Sequence, residues 1–445
     1  MPANSSYKRI EASLLIDGTG APAIRDAAVL VQGERIVEVG PRARVGTPEG
    51  TETIKFPDLT ILPGLVDCHS HINLAVDAIS GGGKTVEEAV AEGEAILVLQ
   101  SAENCRKSLA TGVTTLSDNG AYGTTAITVK RAIERGIIPG PRMFVCGRAM
   151  TATGGHSWPM GGEADGPDGV RRAVRQLLKD GADYIKVMAT CGSTRNTPRA
   201  RASFRRDELT SIVEEAHMWG RLAMAHATGN EGIENVIHAG FDIICHCSFY
   251  EPPLREAWPK PSVYGANFGT YKYRDDLTRK IADRGTPVNP TMHVHRFRML
   301  RLERLSRERR LSELEQQMFD NLKTRYAERI DYFQRLMKAG VDLVAGSDSG
   351  WGPPFGTFVD EIEAMVEAGM SAADAIPAAT YKSARGLGIH DEVGSLAAGK
   401  LADMIVVSGD PTRNVSALKD LRAIFLGGRR VSMHLEDART IMGNS

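Results

Sequence analysis

An α/β fold is predicted, a parallel (β/α)8 TIM barrel with a small β-rich region built from both termini, and three observations predict it. Eight strand-like apolar runs alternate with helical segments between residues 61 and 349, the rhythm of a parallel sheet with crossover helices. The polar residues least expected in buried strands fall near the C-terminal ends of these runs, which a barrel gathers at one mouth. Short alternating strands broken by turns mark both ends of the chain.

Taken in order, the first sixty residues carry ASLLIDGTG, AAVLVQGERIVEVG and TETIKFP, and a similar texture returns in GSLAAGKLADMIVVSGD and LRAIFLGGRRVSM. The two sets can pair as one small domain. The eight runs are ILPGLVDCH (61–69), GVTTLSDNG (112–120), RMFVCG (142–147), DYIKVMAT (183–190), RLAMAHA (221–227), FDIICHC (241–247), TPVNPTM (286–292) and VDLVAGSDS (341–349). Helical segments such as GVRRAVRQLLKDGA separate several of them. A doubly wound open sheet also accommodates eight strands, but it would spread the polar strand ends along an edge. After the seventh run a helical insertion spans about 296–337 and opens RFRMLRLERLSRERR. With Glu interleaved it reads as a solvated face rather than a polyanion patch, and a lid or an oligomer contact is open to it.

Bulk composition excludes several function classes. Across 445 residues, 54 Lys plus Arg balance 55 Asp plus Glu, so no global field favours nucleic acid or an anionic membrane. No charged-then-apolar leader and no run of ~18 apolar residues is present, so neither secretion nor a membrane span is expected. Six scattered cysteines without a CxxC pair fit a reducing compartment, and a cytoplasmic protein is expected. AISGGGKT (78–85) falls one glycine short of a phosphate loop and reads as a loop over the mouth.

The strand ends carry the chemistry. The first run ends in His69-Ser70-His71, the fourth holds Lys186, the fifth and sixth end at His226 and His246, and the eighth at Asp348. Imidazole and carboxylate suit Zn²⁺ and related ions, and His at i and i+2 on a strand point the same way. A site of this kind lowers the pKa of bound water to ~7. Each piece alone has an ordinary structural reading, such as a core histidine or, for Asp348, a helix cap. Lys186 is the discriminating residue. A buried ammonium would be repelled by a metal, whereas carbamylation by CO₂ makes it an anionic ligand; pairing with Asp183 or reaching solvent is the plain alternative.

The motifs VDCHSH, YIKVMATCG, MAHA, ICHCS and AGSDSG resemble those of the amidohydrolase superfamily. The likeness is to the branch of imidazolonepropionase-related proteins, prolidase-like Xaa-Pro dipeptidases and arginine carboxypeptidase-like enzymes. It implies a β-sandwich of residues 1–60 plus 390–445 beside a barrel of 61–389. It further implies two divalent ions, zinc by preference. His69, His71 and Asp348 would hold the more buried one, His226 and His246 the second, and carbamylated Lys186 would bridge them. Asp348 would take the proton of a metal-bridging hydroxide and pass it to the leaving amine. His156, in GGHSWPMGG, would face the substrate. His293, His295, Trp158 and Trp351 are further candidates for substrate contact. Where many dipeptidase-like relatives have a Tyr two residues after the fifth-strand His, this chain has Thr228.

The implied reaction is hydrolysis of an amide C–N bond in a dipeptide or N-acyl amino acid. An N-aryl urea, carbamate or bulky xenobiotic or mycotoxin amide is the alternative substrate. A mononuclear deaminase or cyclic-amide hydrolase is the alternative enzyme class, since it does not need Lys186. The expected partner is a small amide, with no nucleic acid and no membrane, and a homo-oligomer is expected.

Overall fold

The computed structural model describes residues 7–75, 84–194, 197–253 and 269–431. Residues 78–83 of the AISGGGKT loop and residues 432–445 of the terminal β region lie outside the described residues. The chain has a mixed α/β fold. Strands β1 (Tyr7–Leu15), β2 (Ile24–Gln32), β3 (Arg35–Pro41) and β4 (Glu52–Pro63) open it. β5 (Leu65–Ser70), β6 (Val113–Asp118), β7 (Arg142–Val145), β8 (Ile185–Met188), β9 (Ala223–Gly229), β10 (Ile243–Glu251), β11 (Thr270–Tyr271) and β12 (Val288–Asn289) follow, with helices between most of them. β13 (Met404–Ser408), β14 (Leu421–Leu426) and β15 (Arg429–Arg430) close the described chain.

Strands from both ends share one seven-stranded sheet, ordered β15-β14-β13-β4-β1-β2-β3. β4 and β13 meet antiparallel, with Pro63 opposite Met404 and Leu59 opposite Ser408. Alternation buries Ile10, Val29, Val31, Ile61, Val406 and Phe425 in one cluster. The sheet is tied to β7 by Arg142, whose Nε and Nη2 donate to the Asp403 carboxylate at 2.6 and 3.1 Å.

The remaining strands are parallel except for β11, which adds antiparallel to β10. Pairing runs β5-β6-β7, passes to β8 through the parallel bridge Met150–Val187, and continues β8-β9-β10-β12. The eighth run, 341–349, forms no continuous strand. It bridges β12 through Leu343–Val288 and β5 through Ser349–Ser70, so the succession returns to its first strand. Two features interrupt its ladder. Asp348 takes a left-handed φ of +54°, and at Gly346 a Cβ would lie 2.6 Å from the His69 side chain and 2.7 Å from the Asn289 amide.

The helices are amphipathic crossovers. Pro167–Asp180 begins with proline in its first turn and buries Val170, Val174 and Leu177 on one stripe before Gly181 ends it in the left-handed region. The insertion after β12 is a helical pair, His293–Glu308 and Glu313–Lys338, the second started by a capping box of Ser312 and Glu315. The expected solvated face is present, with Arg301, Arg304, Arg307, Arg309 and Arg310 exposed, and a second, buried face lies opposite it. His293, Val294, His295, Arg298 and Leu302 are buried on the first helix, and Arg329 on the second, because one stripe of each packs over the strand ends. No helix among the described residues is long and apolar enough to cross a membrane.

The β4–β5 junction is closely packed. A Cβ on Gly64 would fall 2.0 Å from Thr114 Oγ1. Gly64→Ala is expected to cost about 1–3 kcal/mol through overpacking, read as a lower midpoint in chemical denaturation; an unchanged midpoint would show that the junction yields freely.

Candidate metal centre

β5 aims alternate side chains inward, so His69 and His71, at and just beyond its end, face the same space. β9 contributes His226 and β10 contributes His246 from the neighbouring register, Cys245 pairing with His226. After His246 the β10 ladder slips, and His246, Cys247 and Phe249 have φ of +67°, +49° and +56°. Non-glycine residues in this region cost roughly 1–3 kcal/mol each and persist where packing dictates them, commonly at functional sites. The slip turns the end of β10 inward, and Asp348 is turned inward in the same way.

His69 Nε2 and His71 Nε2 lie 3.6 and 3.4 Å from Asp348 Oδ1. One ligand atom from each of the three side chains lies within 4.8 Å of the other two, a candidate metal-binding group. Lys186 Nζ is 3.4 Å from His69 Nε2 and fully buried. His69 and His246 rings are 5.2 Å apart between centroids, and His246 and His226 4.5 Å. All six side chains are brought together, Lys186 from within β8 and the other five from at or near the C-terminal ends of their runs.

Hydrogen bonding decides which imidazole nitrogens are available. Asn289 Nδ2 donates to Val344 O and Gly346 O, which turns its Oδ1 toward His69. His69 Nδ1–H therefore donates to that oxygen at 2.9 Å. His71 Nδ1–H donates to Gly120 O at 3.1 Å, since a carbonyl only accepts. Both Nε2 lone pairs are left facing Asp348. His246 Nδ1 is 2.8 Å from Thr291 Oγ1, and His226 Nε2 is buried without a partner among the described residues. Burial holds His69, His226 and His246 well below the usual imidazole range, with Lys186 adding to it at His69. Neutral imidazoles with free lone pairs are what a divalent ion requires.

Asp67 stitches the first run to the eighth. It accepts from His69 N at 3.1 Å, Ser347 N at 3.0 Å and Ser347 Oγ at 2.6 Å. Burial nevertheless pushes its carboxyl up to about 7.

His156 lies on the cavity wall, its Nδ1 2.7 Å from Thr194 Oγ1 and its ring 4.8 Å from that of His226. Burial pushes it down to about 3. Its position depends on Gly192, where any Cβ would sit 2.5 Å from the imidazole. Trp351 packs 5.1 Å from His156 and 5.5 Å from His71, and its Nε1 donates to Ser193 Oγ. His295 lines the cavity, which measures about 750 Å³ including its open mouth. Two sequence candidates do not line it. Trp158 is 39% exposed in the short 3₁₀ turn Trp158–Met160. His293 points to Phe297 and to Asp360, 3.7 Å away, because neighbouring residues on a helix face different directions.

Sequence reasoning missed Asn289 and Thr291, which hydrogen-bond the candidate ligands His69 and His246, and Arg199, Arg298, Arg329 and Tyr250 on the cavity wall. Asn289 and Thr291 stand in the seventh run, where a polar residue at a strand end was a readable signal. The arginines gave none, since only packing distinguishes them from their solvated neighbours.

Buried imidazoles, a carboxylate and a lysine gathered by parallel strands define the class, an α/β protein built around a candidate metal group. Comparison with known proteins agrees. Residues 60–431 match the model of the amidohydrolase family, and the chain belongs to that family. It is a hydrolase acting on carbon–nitrogen bonds. It is 28% identical to ochratoxinase of Aspergillus niger over 93% of this chain and 84% of that one. The solved structure of that ochratoxinase superposes with a TM-score of 0.78 at 26% identity, covering 97% and 98% of the two chains. A Xaa-Pro dipeptidase structure with bound methionine in its active site gives 0.80 at 27% identity, covering 96% of this chain and all of that one. Imidazolonepropionase of Symbiobacterium thermophilum is 24% identical over 90% of this chain and 86% of its own.

Losing the acceptor that orients His69 is expected to weaken divalent-metal retention 10–100-fold in Asn289→Ala. Elemental analysis after graded chelation reads this directly, and wild-type retention would show that Asn289 does not orient the ring.

Proposed function

We propose that this chain hydrolyses the amide C–N bond of an N-acyl amino acid or dipeptide, at a two-metal site in the mouth of a closed (β/α)8 barrel of residues 61–389. Residues 1–60 plus 390–445 form the second domain. The observation that carries the reading is the chain of close contacts in which Lys186 Nζ reaches His69 and both His69 and His71 reach Asp348, with His226 and His246 beside them.

The residues fit a pair of divalent ions. His226 Nε2 is a buried orphan, the Nε2 atoms of His69 and His71 are lone-pair donors, and the nitrogen and oxygen set suits zinc. His69, His71 and Asp348 would hold one ion and His226 with His246 the other. A carbamylated Lys186 would bridge them, replacing a buried ammonium that faces donor nitrogens with an anion. Such ions, when bound, polarise a carbonyl and make water nucleophilic at neutral pH. The protein's own part is proton handling and orientation. An Asp348 carboxylate oxygen accepts the proton of the attacking water and returns it to the leaving amine nitrogen. His156, neutral and tethered through Nδ1, presents Nε2 to the cavity, where an Nε2–H can donate to the substrate oxygen as negative charge develops there. Burial of all these groups strengthens each interaction by excluding water.

The dipeptidase with methionine in its active site supports an amino-acid product. The ochratoxinase relative supports a bulkier amide, as does Thr228, a short side chain on the cavity wall, 3.0 Å from Thr190 Oγ1, where many dipeptidase-like relatives carry tyrosine. A one-metal deaminase would leave Lys186 without a role.

Metal-reconstituted protein should contain about two ions per chain and hydrolyse members of a panel of N-acyl amino acids, Xaa-Pro and Xaa-Arg dipeptides, bulky aryl amides and aryl ureas. One ion per chain would favour the mononuclear class. Lys186→Ala should lose one ion and most activity while keeping its circular-dichroism spectrum; wild-type turnover would refute the bridging role. His156→Ala should lower kcat by on the order of 10²–10³-fold with metal content unchanged, and a fall in metal content would make it a ligand.

A further inference from the structure

Most arginines of the helical pair after β12 are paired at the surface. Arg307 meets Glu303, Arg309 meets Glu315 and Arg335 meets Asp331. Arg329 is different. It is 5% exposed and lines the cavity with His246, His295 and Asp348. It donates through Nη1 alone, to Pro290 O, to Thr291 O at 3.0 Å, to Thr291 Oγ1 at 3.2 Å and to Tyr332 Oη at 3.1 Å. Among the described residues Nε and Nη2 make no hydrogen bond, and no carboxylate oxygen lies within ion-pair distance of the guanidinium. Neither atom is sealed from the cavity that the side chain lines.

A guanidinium taken out of water without a paired counter-charge is unfavourable by several kcal/mol, and the nearby buried Glu361 carboxyl, which feels Arg329, has its two oxygens engaged by Met292 N and His293 N. Lys186 stands on the same wall, and Asp348 is the one carboxylate among the described lining residues. Holding Thr291 accounts for Nη1 but not for the opposite edge. That edge is the planar pair of N–H groups that matches a carboxylate. Its distance from the chemistry is short. The Thr291 hydroxyl reached by Nη1 is the one 2.8 Å from His246 Nδ1, so the guanidinium sits one side chain from a candidate ligand.

We infer that Arg329 is a specificity-determining residue whose Nε–Nη2 edge receives the carboxylate of the substrate's amine half, selecting N-acyl amino acids over neutral amides and ureas. The inference rests on the amide-hydrolysis reading above. It makes the helical pair a substrate-reading element rather than a surface decoration.

The test compares N-acetyl-L-amino acids with the matching N-acetyl alkylamines, which keep the amide and side chain and lack the carboxylate, on metal-loaded wild type, R329M and R329K. Wild type should prefer the acids in kcat/KM. R329M should lower that preference on the order of 10–100-fold, chiefly through KM, and R329K should restore part of it. An equal fall on both substrate sets, with the preference kept, would reduce Arg329 to a support for Thr291 and overturn the inference. Cleavage of neutral amides or phenylureas without a preference for acids would also overturn it, while leaving amide hydrolysis intact. If no panel member is cleaved, the hydrolysis reading fails by itself. Calorimetric binding of free L-amino acids then decides the arginine's role, upheld by binding that R329M abolishes and overturned by no binding or by equal binding.

Discussion

The structure turns on a single constraint, that several candidate ligand side chains are buried together while each imidazole keeps one lone pair free. A buried imidazole whose two nitrogens are both unmanaged would be an unsatisfied polar group or an unwanted charge. Here the far nitrogen of His69 is claimed by Asn289, that of His71 by Gly120 O, and that of His246 by Thr291. Burial keeps the His69, His226 and His246 rings neutral. The near nitrogens are then left to face one another and Asp348, an arrangement that protein atoms alone would not favour and that a cation would make favourable.

The scaffold exists to hold those partners still. The candidate ligands come from five separate runs, four of them parallel strands, and the first run is clamped to the eighth, which brings Asp348, through Asp67 and Ser347. Where the ladder geometry would aim a side chain away, the backbone is forced into the left-handed region, at His246 and at Asp348. Gly346 and Gly192 permit close approaches that any side chain would block, one against His69 and Asn289, the other against His156. Left-handed non-glycine residues are therefore frequent around the site, at Ser157, Ala200, His246, Cys247, Thr291 and Asp348, while Asp26 and Asp58 lie in the terminal sheet.

The wall opposite the ligands is built by the helical pair after β12, and there charge rather than coordination dominates. Arg298 donates to Trp351 O while Arg329 holds the Thr291 turn, so the same residues that shape the cavity also keep the ligand-bearing loops in register. Glu361 completes this corner. It accepts from Met292 N at 2.9 Å and His293 N at 2.5 Å, and burial pushes its carboxyl up to about 8.

The amino-acid sequence by itself determined the α/β rhythm, the pairing texture of the two ends and the six ligand candidates. It could do so because strand periodicity is local and a histidine or lysine inside an apolar strand is visible without coordinates. Tertiary structure decided what depends on distance. The eighth run proved to be bridges rather than a strand, since Gly346 and the turned Asp348 break its ladder. Trp158 and His293 fell away from the cavity because a turn and a helical rotation aim them elsewhere, and neither is encoded at the residue itself. Arg298 and Arg329 look in sequence like the solvated arginines around them. Only packing against the strand ends, where water is excluded and a charge must find its partner, sets them apart.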